Sequence, residues 1–404
     1  MPKHIHIFLM FLSVQTIVIS CSQIGERKHK TTSVKPVFFS DFRSPNPEQN
    51  WKYTTLDNQI IKENVSDFNK GKLSFDYPNI LQSPKFELDP LKYYQLKFSA
   101  KASEKSYWAV VFFDKDGEML LADVYSSIDP SDELQNFTFY FQAKADATEA
   151  QVWFRPDGED TKMEIQKVNI IIQKDHQVIK DWADSVYAEI PPLETVIPPP
   201  GREKYIPKTM EALKTGEKIR VVMLGNSIIN DTGSSAWEIL LKDHWPKADV
   251  EVITSVRGGT GCWYYQNNNR IDTFVVKYKP DLLIIGGISQ RGDTAAIHSV
   301  INQVREKSSP EILVFTGPVG RGGDPRSNPD FKIPAEPGDY RVNLKTMADD
   351  ANVGYWDMQT EWGKYIQSSG KPYDYYLRDP VHANSRGRQI LARLMCYYFA
   401  PTEK

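Results

Sequence analysis

The sequence predicts two folded units, an all-β antiparallel sandwich followed by an α/β unit built on a parallel sheet. Two observations carry this. Apolar residues recur with period two through about residue 173, and from about 218 short continuous apolar runs alternate with stretches long enough for helices. The length of 404 residues fits two units behind a leader, at roughly 100 to 200 residues per unit.

In the first unit, Tyr94, Leu96, Phe98 and Ala100 alternate with Gln95, Lys97 and Ser99. Phe137, Phe139 and Phe141 repeat the design, as do Val168, Ile170 and Ile172. Such alternation buries one face of each strand, and turn signals at Asp114 to Gly117 and Pro156 to Gly158 favour antiparallel pairing. Tyr107, Trp108 and Trp153 are candidates for a sugar-stacking platform or for core and interface packing, since strand aromatics serve both ends. An amphipathic segment follows from Val178 to Tyr187. The proline-rich run from Ile190 to Gly201 then reads as a stiff connector across which few contacts pass.

In the second unit, Arg220 to Leu224, Val250 to Ile253, Asp281 to Ile285 and Ile312 to Phe315 read as strands. Strands apolar on both faces belong to a parallel sheet covered by helices on each side. Ligands bind beyond the carboxyl ends of such strands, so the residues just after them are where chemistry is sought.

After the first strand stands Gly225-Asn226-Ser227, a serine on a glycine turn that is either a nucleophile or a helix cap. After the second, Arg257-Gly258-Gly259 offers main-chain amides with no side chain in the way. After the third come Ser289, Gln290 and Arg291. Near the end, Asp379-Pro-Val-His382 places a carboxylate three residues before an imidazole, close enough to hold one ring nitrogen and leave the other free to take a proton. A closing apolar helix is expected from Gln389 to Phe399. The stretch from Gly317 to Asp339 lacks periodicity and exceeds the ~12 to 15 residues beyond which a loop usually serves function, which makes it a candidate substrate rim.

Over about 215 to 400 these blocks, in this order, resemble the SGNH or GDSL hydrolases. The resemblance implies a flavodoxin-like three-layer fold and a triad of Ser227, His382 and Asp379. It also implies an oxyanion hole that includes Gly259, with Gly258 as the alternative register. The family's third block carries an asparagine that this chain lacks, so Ser289 and Gln290 are the candidate replacements. Neither a metal nor an organic cofactor is implied. The strand around Leu91 to Ser103 resembles those of the jelly-roll, carbohydrate-binding modules attached to polysaccharide-degrading enzymes.

The N-terminus, with Lys3, the apolar Ile7 to Ile19 and then Ser20-Cys21, resembles a bacterial lipoprotein signal. That implies secretion across the inner membrane and acylation of Cys21, with the protein held at the outer membrane of a Gram-negative cell, on its periplasmic or surface side. The expected division is therefore a signal at 1–20, a tether at 21–35, the sandwich at 36–175, a helical and proline-rich segment at 176–214 and the hydrolase at 215–404. The net charge of -3 gives no sign of a nucleic-acid partner. Cys262 and Cys396 are open to a bridge or to two buried thiols.

The expected function is a serine esterase that removes O-acetyl groups from a polysaccharide or oligosaccharide. Arg257 and Arg291 are candidate substrate contacts. Facing uronate carboxylates, they would instead suit a methylesterase of an acidic glycan. A glycan-binding lipoprotein with a decayed hydrolase unit is the non-enzymatic alternative.

Overall fold

The computed structural model describes residues 35–43, 50–55, 59–62, 68–69, 71–194, 196, 198–287, 290, 292–318 and 323–401. The expected signal, Cys21 and most of the tether lie outside them, as do Ser289 and Arg291.

Strands β1 (Phe38–Asp41), β2 (Lys52–Thr54), β3 (Ile60–Lys62), β4 (Phe68–Asn69), β5 (Lys72–Asp76), β6 (Ile80–Gln82) and β7 (Phe86–Glu87) open the chain. Longer strands β8 (Tyr93–Ala102), β9 (Ser106–Phe113), β10 (Val124–Ile128), β11 (Gln135–Gln142), β12 (Glu149–Pro156) and β13 (Lys162–Gln173) follow. They form two antiparallel sheets. One runs β11-β8-β13-β5-β4 with β1 beside β13, and the other runs β10-β9-β12-β6-β2-β3 with β7 beside β12. Side chains alternate across a strand, so parity decides what enters the core. Tyr94, Leu96, Phe98 and Ala100 of β8 meet Trp108, Val110 and Phe112 of β9 and Val152 and Phe154 of β12. Full burial of a leucine or phenylalanine here contributes ~1.5 to 3 kcal/mol. The same parity turns Tyr107, Trp153 and Tyr125 outward, toward the second half of the chain.

After α1 (His176–Tyr187) and α2 (Pro207–Thr215) comes the parallel sheet of β14 (Lys218–Gly225), β15 (Asp249–Val256), β16 (Leu282–Ile285), β17 (Glu311–Phe315) and β18 (Gly354–Trp356). Its order is β15-β14-β16-β17-β18. Between and after these strands lie α3 (Ser227–Gly233), α4 (Trp237–Leu240), α5 (Cys262–Tyr265), α6 (Arg270–Phe274), α7 (Thr294–Lys307), α8 (Tyr340–Asp350), α9 (Met358–Ser368) and α10 (Ser385–Phe399). Val221 and Met223 of β14 face a core shared with α3, α4, α9 and α10, while Val222 and Leu224 face one shared with α7 and α8. Three layers result. Cys262 and Cys396 are both free and buried.

The proline-rich connector departs from the sequence expectation of an unencumbered linker. Ile190 and Val196 are buried in the α/β core, and the Tyr365 hydroxyl donates to the Pro191 carbonyl at 2.9 Å. Contacts between the sandwich and the α/β half are extensive. The Lys144 ammonium donates to Asn230 Oδ1 at 2.7 Å, Asn230 Nδ2 donates to the Asp123 carbonyl at 2.6 Å, and the Tyr93 hydroxyl donates to Glu238. Residues Lys35–Lys404 form one compact unit.

Candidate active site

Strand β14 ends at Gly225, where close approach excludes any side chain: a Cβ there would lie 2.5 Å from the Gly286 carbonyl oxygen and 2.4 Å from Ile229. The chain then turns directly into α3. Asn226 caps that helix, its Oδ1 accepting the Ile228 amide at 2.9 Å. The cap is therefore Asn226 and not Ser227, which leaves the serine hydroxyl to other partners. Gly287, at φ +102°, could not carry a side chain without meeting the Asn226 amide, with Oδ1 2.4 Å from a Cβ.

The partner of Ser227 comes from the loop before α10. His382 Nε2 lies 2.8 Å from Ser227 Oγ, and His382 Nδ1 lies 2.8 and 2.9 Å from the two oxygens of Asp379. The loop holds this geometry itself. The Arg378 amide donates to the His382 carbonyl at 3.0 Å, and Asp379 Oδ1 accepts the amides of Val381 at 2.8 Å and His382 at 2.9 Å. Burial works against charge on Asp379, but hydrogen bonds from His382, Val381 and Tyr125 hold its carboxyl well below the ordinary carboxylate range. Beneath the loop, the buried Asp231 accepts two 2.9 Å bonds from Arg378 and one of 3.1 Å from Arg388. A buried carboxylate needs such pairing.

A cavity of about 540 Å³ opens over Ser227. Ser227, Gly258, Gly259, Asp379 and His382 line one side, and sandwich residues including Tyr107, Leu121, Tyr125, Trp153 and Arg155 line the other. Tyr125 of β10 and Trp153 of β12 both pair with Ala109 of β9, so the three share one row across the sheet. With strands roughly 4.8 Å apart, the small Ala109 leaves a gap of about 10 Å between the two aromatic positions. The Arg155 guanidinium lies 4.7 Å from the centre of the Tyr107 ring. Trp108, by contrast, is core and stands 4.4 Å from the Phe139 ring.

Gly259 has φ +67° and open space where a side chain would project, whereas the Gly258 amide donates to the Leu121 carbonyl at 3.2 Å. Among the described residues nothing accepts from the Ser227 or Gly259 amides.

Several expectations change. Gln290 does not face the cavity: it is 1% exposed, its Oε1 accepts the Cys262 amide at 2.7 Å and its Nε2 donates to the Gly286 carbonyl at 3.1 Å, so its amide braces backbone. Arg257 lines a neighbouring cavity and lies 5.4 Å from the Tyr264 ring. No described residue of 317–339 lines the cavity over Ser227; the sandwich takes the place expected for that rim. Ser289 and Arg291 lie outside the described residues.

Tyr125 adds a partner that no sequence motif marks. Its hydroxyl donates to Asp379 Oδ2 at 2.8 Å and lies 3.0 Å from His382 Nδ1. The alternation of Val124, Ser126 and Ile128 inward marks Tyr125 as outward-facing, but nothing local says what lies outside.

The arrangement as a class is a serine, histidine and aspartate in one hydrogen-bonded chain at the carboxyl end of a parallel sheet. No protein-family model matches the chain, and no curated protein matches it. Among solved structures, it is similar to a two-domain esterase (CEX) active on acetylated mannans, at 19% identity over 49% of this chain and 52% of that one, with a TM-score of 0.38. It spans about half the length of that esterase. It is also similar to Axe2, an acetylxylan esterase from Geobacillus stearothermophilus, at 17% identity over 46% of this chain and 95% of that one, with a TM-score of 0.35. At these scores likeness alone assigns no activity.

Proposed function

We propose that the protein is an SGNH-type serine esterase that removes ester substituents, foremost O-acetyl groups, from a glycan. The single observation that carries this is the chain from Ser227 Oγ through His382 to Asp379, with every link at 2.8 to 2.9 Å. The strand order, second-first-third-fourth-fifth along the chain, is the one flavodoxin-like sheets use.

In the proposed cycle His382 Nε2 takes the Ser227 proton as Oγ attacks the ester carbonyl. The Ser227 and Gly259 amides receive the developing oxyanion, and His382 returns the proton to the departing alcohol. Water then repeats the sequence and releases the acid. A glycan is favoured by Tyr107 and Trp153, half-buried rings on the wall of the same cavity, because flat faces suit the apolar faces of pyranoses. Arg155 on that wall supports a second reading, a methylesterase of a uronate glycan, since guanidinium pairs well with carboxylate. The protein is further proposed to be secreted and anchored through acylated Cys21.

Incubation with acetylated and methyl-esterified polysaccharides, read as released acetate or methanol, tests the reading. Acetate marks the first activity and methanol the second. Retained glycan binding with neither product would instead mark a hydrolase fold without turnover. Ser227→Ala and His382→Ala should each lower kcat by about 10⁶-fold, and Asp379→Ala by the smaller ~10⁴-fold, because it leaves nucleophile and base in place. Near-normal turnover by Ser227→Ala would remove the assignment.

A further inference from the structure

We propose that Tyr125, supplied by the sandwich, is a positioning residue of the hydrolytic centre, its hydroxyl holding Asp379 and His382 in the one tautomer that leaves Nε2 free to accept the Ser227 proton. This rests on the esterase reading above and adds to it a group from the other half of the chain.

His382 Nδ1 faces three oxygens, Asp379 Oδ1 at 2.8 Å, Asp379 Oδ2 at 2.9 Å and Tyr125 Oη at 3.0 Å. Burial raises the Tyr125 phenol above its ordinary value, so it is neutral and has one proton to give. That proton goes to Asp379 Oδ2 at 2.8 Å, which leaves the phenol oxygen as an acceptor toward Nδ1. Three acceptors around Nδ1 require the hydrogen to sit there, and Nε2 is then bare opposite Ser227 Oγ at 2.8 Å. In the other tautomer a lone pair would face a carboxylate, and an N–H would face the hydroxyl that must be deprotonated.

Tyr125 is itself held from the α/β half at two further points. Arg388 Nη2 donates to its main-chain carbonyl at 2.8 Å, and the Arg378 guanidinium lies 3.7 Å from its ring centre. Both arginines bind the buried Asp231. The other charged groups facing Asp379 and Tyr125 are the Arg378 Nε at 4.0 Å from Asp379 Oδ2, and Asp123 and Arg155 on the cavity wall. Docking of the sandwich therefore delivers a hydroxyl to the triad as well as a wall to the cavity.

Tyr125→Phe in the full chain removes the oxygen and keeps the ring under Arg378. With a small acetyl ester, kcat should fall about tenfold while KM stays within about twofold, as expected when a hydrogen bond that orients the charged carboxylate is lost and no substrate contact is removed. In an Asp379→Ala background the same change should have an effect clearly different from about tenfold, because two residues that act on one imidazole do not add. The low-field His382 Nδ1 proton resonance should shift in Tyr125→Phe, and this is read without substrate. A tyrosine that only bolts the interface would lower thermal stability, leave kcat unchanged and leave the resonance in place; that result overturns the proposal, as does full additivity with Asp379→Ala. Failure of the esterase reading looks different, as wild-type protein that turns over no ester.

Discussion

The contact between Tyr93 of β8 and Glu238 of α4 joins the two halves of the chain and carries a calculable pH dependence. Glu238 is 7% exposed and Tyr93 8%. Burial, opposed by the Tyr93 hydrogen bond, pushes the Glu238 carboxyl from 4.5 up to about 7. Below the unfolded value both states hold the proton and no penalty exists. As the pH rises from there to the folded value, the unfolded chain ionises while the folded chain does not, so stability falls through that window and is level above it. At about 1.4 kcal/mol per pH unit, the displacement costs roughly 3 kcal/mol at about pH 8. Glu238→Gln removes the titration and keeps the contact: Oε1 still accepts from Tyr93, and the second oxygen, which has no partner among the described residues, becomes an uncharged amide. Urea unfolding of both proteins should show a gap near zero at about pH 4 that opens to roughly 3 kcal/mol in favour of the variant by about pH 8. Lys144, which burial lowers from 10.5 to about 7, acts with the opposite sign in the adjoining window, so the difference between two proteins is the quantity that isolates Glu238. A gap that does not change with pH would refute the reasoning.

Trp153→Ala should raise KM for an oligosaccharide ester about tenfold while kcat for a small acetyl ester stays within about twofold, since the ring contributes stacking and no chemistry; equal loss on both substrates would remove its role as a sugar platform. Cys21→Ala should release the protein from the membrane fraction of the producing cell, and unchanged retention there would end the lipoprotein proposal.

How much of this was legible in the sequence depends on the distance over which each feature is determined. The alternation in Tyr94 to Ala100 fixes which side of β8 is buried without reference to any other strand. The apolar runs of β14 to β17 are equally local, because a strand covered on both faces has no polar face to interrupt it. Strand β18, Gly354–Trp356, is too short to show a period. The Asp379 and His382 pair is closed by its own loop, and Ser227 stands two residues past the end of β14, so the position of each was readable. Gln290 has the chemistry of an oxyanion donor, but the direction of its amide is set by Cys262 and Gly286, which no spacing reveals. In the connector the prolines dominate the composition, while the signal for burial was Ile190 and Val196 lying among them.

Tyr125 was out of reach for a different reason: it stands 254 residues before the carboxylate it binds, on a sheet face whose neighbour is decided by docking. Once docked, its placement follows from strand parity. Val124, Ser126 and Ile128 of β10 point inward and are buried, so Tyr125 points outward, into the row that also holds Ala109 and Trp153. A slip of one residue in the pairing of β10 would bury Tyr125 and turn its neighbours toward Asp379. That register is held from the sandwich side by the inward apolar residues, and from the α/β side by Arg388 on the Tyr125 carbonyl. One strand register therefore sets two separate properties, the hydroxyl that reaches Asp379 and the aromatic wall opposite Ser227. A substitution that disturbs the pairing of β9 with β10 should consequently damage turnover and glycan affinity together, whereas one confined to Tyr125 or to Trp153 should separate them.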